Sequence, residues 1–161
     1  MKVSTRIHTI DANIVLRYLI RDEEAHWAKA DAVIRAVHDG TLIVLCDPVT
    51  LGEIVFTLGS LYKLERHEIC ELLAPLLKAE GFQIADKDVY IHALQLHGGQ
   101  VPHFGDACAC ARAMESSDGR LLSFDKKLSS VPGVTRMEEL TVPSTEPNQP
   151  PASARTNAGA A

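Results

Sequence analysis

Nowhere in the 161 residues does an apolar run approach the roughly 18 residues that a membrane-spanning helix requires. Met1 to Thr9 holds no apolar stretch of signal-peptide length, so a cytoplasmic protein is expected. The four cysteines, Cys46, Cys70, Cys108 and Cys110, include no C-x-x-C pair. That argues against a zinc or dithiol redox site and for buried free thiols in a reducing compartment. Aromatic residues are only 5% of the chain, and no base-stacking platform of the kind found in RNA-binding sheets is evident. Positive charge is also short. Lys and Arg number 16 against 21 Asp and Glu, a net charge of -5. That sign excludes broad electrostatic attraction to phosphates, so a nucleic acid would have to be held by a local basic rim and by metal ions.

What is present suits a globular domain. Hydrophobic residues make up 46%, and the length allows one domain with a real core. Thr5 to Ile10 alternates like a strand and runs into Asp11. Ile14 to Ile20 is a compact apolar helix, and Glu23 to His38 repeats apolar groups with a helical period. Leu42 to Cys46 is uninterruptedly apolar, as in a strand covered on both faces. Asp47-Pro48 predicts an N-cap followed by proline at the first helical position, on a helix that carries Glu53 and reaches about Tyr62. Further helices are expected over Arg66 to Ala79, Lys87 to His97 and Phe104 to Glu115, with strands at Phe82 to Ala85 and Leu121 to Phe124. The helix at Phe104 is rich in Ala and Cys, small side chains that let it lie close to a sheet. Alternating strands and helices predict an α/β fold with a central parallel sheet flanked by helices. Residues 1–142 read as one domain. Pro143 to Ala161 is rich in Pro, Ala, Ser, Thr and Asn and predicts a disordered tail.

Four carboxylates fall at telling places. Asp11 and Asp125 each follow a predicted strand, and ligands of parallel α/β sheets bind beyond the carboxyl ends of strands. Asp106 opens one helix and Glu53 lies near the start of another. The order of elements lets all four converge. Carboxylates gathered within a few ångströms repel unless cations sit among them. Oxygen ligands suit Mg²⁺ or Mn²⁺, ions that activate water and neutralise charge on a phosphodiester during in-line displacement. Each acid also has a structural alternative. Asp11, Asp106 and Asp125 suit helix or turn N-caps, and Glu53 suits a capping box with Thr50.

Four segments resemble the motifs of PIN-domain nucleases. They are Ile10-Asp11-Ala12-Asn13-Ile14-Val15-Leu16-Arg17-Tyr18, Leu51-Gly52-Glu53-Ile54-Val55-Phe56-Thr57-Leu58, Phe104-Gly105-Asp106-Ala107-Cys108-Ala109-Cys110-Ala111 and Leu122-Ser123-Phe124-Asp125-Lys126-Lys127-Leu128. They occur in order over roughly residues 8 to 140, and the likeness is greatest to the VapC-type toxins of bacterial toxin–antitoxin pairs. The resemblance implies a PIN-like α/β/α sandwich and an endoribonuclease dependent on Mg²⁺ or Mn²⁺. It implies a catalytic and metal-binding quartet of Asp11, Glu53, Asp106 and Asp125, with Asn13 as a supporting polar residue. It also implies a homodimer blocked by a small VapB-type antitoxin. Ala12 stands where the family usually has Thr or Ser, whereas Ser123 keeps the hydroxyl of the last motif.

Arg17, Lys126 and Lys127 are candidate RNA-backbone contacts, with ion-paired or solvated surface roles as their alternatives. Arg21 reads as an ion-paired face, and His103, three residues before Asp106, as incidental. Two other readings stand beside the nuclease. One is a PIN-like scaffold that acts through RNA or partner binding, favoured by Ala12. The other is a phosphatase with a strand-end aspartate nucleophile, which Asn13 argues against because such enzymes want a second acid there.

Overall fold

The computed structural model describes residues 6–140, with side chains from Ile7 onward. The expected tail from Pro143 lies outside them. In chain order the elements are β1 (Arg6–Thr9), α1 (Ala12–Ile20), α2 (Glu24–His38), β2 (Leu42–Leu45), α3 (Pro48–Ser60), α4 (Arg66–Lys78), β3 (Phe82–Gln83), α5 (Lys87–Gly98), α6 (Phe104–Ser116), β4 (Arg120–Leu122) and β5 (Thr135–Met137). A 3₁₀ turn over Lys126–Ser130 joins the last two strands. Every strand pairing is parallel, and the strands are flanked by helices as in an α/β/α sandwich.

Local chemistry fixes many boundaries. The Asp47 carboxylate accepts from the Val49 amide at 2.9 Å, with Pro48 in the first turn of α3. That satisfies one of the amides a helix start leaves unpaired. At α4 the Glu68 carboxylate accepts from the Glu65 amide at 2.7 Å, the return half of a capping box. Asp118-Gly119 turns the chain into β4 with both residues at positive φ, 51° and 79°. A Cβ at position 119 would collide with the Gly133 carbonyl, so glycine there lets β4 and β5 approach.

The strands divide between two sheets, β1-β2-β3 and β4-β5. Each has its own core. Leu51, Ile54 and Leu58 of α3 pack with Leu73 and Leu77 of α4 and with Phe82 over the first sheet. Ala107, Cys110 and Ala111 of α6 pack with Val89 and Ala93 of α5 and with Leu128 and Val131 beside the second. Full burial of each large aliphatic side chain contributes about 1.5–3 kcal/mol.

Three expectations change here. β2 is not covered on both faces: Val44 is buried but Leu45 is 46% exposed. The helix that packs on β2 is α2, whereas α5 and α6 pack chiefly on each other. The small residues of α6 therefore serve a helix–helix contact more than a helix–sheet one. The third change is β5, which was not anticipated: three residues, Thr-Arg-Met, are too few to show an alternation.

Candidate active site

The four acids lie where the elements begin or end. Asp11 is the N-cap of α1 and follows β1 by two residues, yet its carboxylate makes no capping bond. It accepts instead from Asn13 Nδ2 at 3.3 Å. Glu53 is exposed on α3, whose cap is Asp47, so the capping box with Thr50 does not form. Asp106 is the third residue of α6 and half-buried. The N-cap of that helix is His103, so the capping alternative for Asp106 falls away. A carboxylate in a first turn does gain from the helix dipole. Asp125 realises its alternative: its carboxylate accepts from the Lys127 amide at 2.9 Å and caps the 3₁₀ turn. Ser123 Oγ accepts from the Asp125 amide at 3.0 Å, which fixes the backbone that presents this acid.

Among the described residues, no three His, Cys, Asp or Glu side chains stand close enough to hold a metal ion. Mg²⁺ and Mn²⁺ do not require so large a group, since such ions keep several waters and are held by one or two carboxylates together with substrate phosphate oxygens. No three of the four acids form such a group among the described residues. Asp11 follows the first sheet and Asp125 follows the second, and β1 and β4 are not hydrogen-bonded neighbours. Ile7 of β1 is 63% exposed and Phe124, just past β4, is 85% exposed.

The basic candidates differ. Arg17 Nη1 sits 2.6 Å from an Asp22 oxygen, and Tyr62 donates to the same carboxylate at 3.2 Å. The Arg17 hydrogen bond holds the Asp22 carboxyl below its ordinary range. Arg17 thus orders an acid, as one of its two expected roles required. Arg21 pairs with Glu24 and lies 3.8 Å over the Trp27 ring. Lys126 and Lys127 are exposed beside Asp125 and take part in no ion pair among the described residues. The cysteines are unpaired thiols, with Cys46 and Cys110 buried and Cys70 and Cys108 half-buried. Burial pushes the Cys46 and Cys108 thiols up to about 11. No described helix is long and apolar enough to cross a membrane.

The sequence profile of the PIN domain matches residues 9–134, most of the chain, and spans all four acids. The chain belongs to the PIN-domain family. Comparison with curated proteins and with solved structures gives no match. PIN domains are generally nucleases that use divalent metal ions, so family membership supports a nuclease-type function.

Proposed function

We propose that this PIN domain is an Mg²⁺- or Mn²⁺-dependent endoribonuclease, the toxin of a VapC-type toxin–antitoxin pair. The observation that carries the proposal is the family match over residues 9–134, a span that contains Asp11, Glu53, Asp106 and Asp125. Asn13 supports Asp11 by a hydrogen bond, and Ser123 supports the backbone of Asp125. Lys126 and Lys127 stand beside that acid as phosphate contacts. The reading requires the acids to draw closer around an ion than they stand here. RNA is the substrate, the compartment is the cytoplasm, and a VapB-type antitoxin and a second copy of the chain are the partners.

The test is sequencing of RNA fragments after induced expression, comparing wild type with Asp11→Asn. Discrete new 5′ ends that vanish in the variant support the reading, and identical fragment patterns overturn it. Co-purification with a small protein encoded beside it tests the antitoxin. A monomer that brings down no such protein removes the toxin assignment.

A second reading is a PIN-like scaffold that binds RNA or a partner without turnover. Ala12 favours it, as does the absence of a three-acid cluster among the described residues. RNA binding with no cleavage at any Mg²⁺ or Mn²⁺ concentration selects it.

A further inference from the structure

An open cavity of about 790 Å³ lies between α3, the start of α4, α5 and the start of α6. Its size is that of a small-molecule or cofactor site. Gly52 and Gly105, which precede Glu53 and Asp106 in the chain, both line it, while the two acids themselves do not. A Cβ built on either glycine meets no atom within 4 Å, so the cavity is open at both positions.

Three of the chain's eight aromatic residues (four Phe, three Tyr and one Trp) line this cavity: Phe56, Tyr90 and Phe104. Phe56 is 73% exposed at its edge. So few aromatics argue against a stacking surface, yet the fold gathers three of them around one cavity. Planar apolar walls of this kind accept any base face.

His97 also lines the cavity. It is only 6% exposed, and its Nδ1 is buried without a hydrogen-bond partner. Burial lowers the proton affinity of the ring, which keeps it neutral near pH 7. The Val101 backbone opposes that lowering in part. A neutral imidazole has one acceptor nitrogen, and in the tautomer protonated at Nε2 that acceptor is Nδ1. A buried acceptor left unpaired is costly and selects a ligand that brings a donor.

Charge supplies a third element. Seven arginines have described side chains, and six of them are ion-paired: Arg17, Arg21, Arg35, Arg112, Arg120 and Arg136. The seventh, Arg66, forms no ion pair among the described residues and lines the cavity. Its Nη1 donates to the His97 carbonyl at 3.3 Å, which uses part of a fork with five donors.

We propose that this cavity seats one nucleotide of the RNA substrate, its base among Phe56, Tyr90 and Phe104, an N–H of the base donating to His97 Nδ1, and a phosphate against Arg66. The proposal rests on the nuclease reading of the neighbouring acids and names where that nuclease holds a base. It also gives a chain of net charge -5 a hold on RNA that needs one cation beside a stacking surface rather than a broad basic face.

The test uses the full chain and titrates adenosine 5′-monophosphate against purine riboside 5′-monophosphate, which lacks only the exocyclic amine. Calorimetry gives affinity, and ¹⁵N NMR of the imidazole reads His97. Wild type is expected to bind the amine-bearing nucleotide roughly tenfold more tightly and to shift the Nδ1 resonance with it alone. His97→Phe is expected to erase that preference. Arg66→Gln is expected to weaken both nucleotides while leaving free adenosine unchanged. Gly52→Leu fills the cavity from a site with open space and keeps His97, so it stands in if His97→Phe misfolds; it is expected to abolish both. Equal binding of the two nucleotides by wild type marks a merely apolar cavity, suited to a peptide, and overturns the proposal. So does the absence of binding. RNA cleavage without nucleotide binding overturns the cavity assignment alone. Nucleotide binding without RNA cleavage keeps the cavity and overturns the nuclease reading.

Discussion

Asn13 Nδ2 donates to Asp11 Oδ2 at 3.3 Å, and the Asp11 carboxylate makes no bond to the helix it precedes. An N-cap side chain that does not cap contributes little to folding. Asp125 is the opposite, since its carboxylate accepts from the Lys127 amide. Asp11→Ala is therefore expected to leave stability within about 0.5 kcal/mol of wild type, whereas Asp125→Ala costs about 1 kcal/mol. Urea denaturation of the two variants checks this. Equal losses would show that the Asp11 carboxylate holds the fold as much as Asp125 does.

The two glycines Gly119 and Gly52 separate strain from freedom. Gly119 has φ +79° and faces the Gly133 backbone, so Gly119→Ala combines a strained conformation with a collision. It is expected to cost about 1–3 kcal/mol or more. Gly52 is inside α3 with open space around it, and Gly52→Ala should stabilise the chain by about 0.5–1 kcal/mol. Thermal midpoints should therefore move in opposite directions.

Those two turns and caps show what the sequence made legible. Asp47-Pro48 marks the start of α3 and apolar periods mark the helices, because each of these is local chemistry. Capping was read less well for Asp106. The true cap is His103, and a histidine backbone in the extended region carries no side-chain signal. The division into two sheets depends on which strand edges meet, and no residue within β1 or β4 encodes that. The cavity was hidden for the same reason. Phe56, Tyr90, His97 and Phe104 come from three helices, and their meeting is a product of packing.

Arg17, Asp22 and Tyr62 give a pH dependence with a definite sign. The Asp22 carboxyl is depressed, first by the Arg17 hydrogen bond. A depressed carboxyl contributes stability that is present above its unfolded value, about 3.9, and lost as pH falls through the folded one. Wild type should thus exceed Asp22→Asn in urea midpoint at neutral pH. The gap should close as the solution is acidified below about pH 4. A gap that persists at low pH would show that the pair is not what distinguishes them.

Thiol reactivity is the next expectation. Burial pushes the Cys46 and Cys108 thiols up to about 11, and the thiolate is the nucleophile. Neither should react with an aromatic disulfide reagent at pH 8 in the folded chain, and both should react promptly in urea. Rapid labelling of either in the native state would mean that α6 or the segment after β2 opens readily.

The quartet makes the last prediction. Asp11 and Asp125 follow different sheets, so an ion that gathers the acids must also hold the two sheets together. A ligand that binds only the gathered state raises stability by mass action, about 2.7 kcal/mol at a hundredfold excess over its dissociation constant. Mn²⁺ should therefore raise the thermal midpoint of wild type in a concentration-dependent way, and a chelator should reverse it. Asp11→Asn and Asp106→Asn should each lose most of that response, since each removes a charge from the set. It should also slow hydrogen exchange along β1, whose edge away from β2 is unpaired among the described residues. A midpoint that does not move with Mn²⁺, or that moves equally in both variants, would leave the four acids as separate surface carboxylates and favour the scaffold reading.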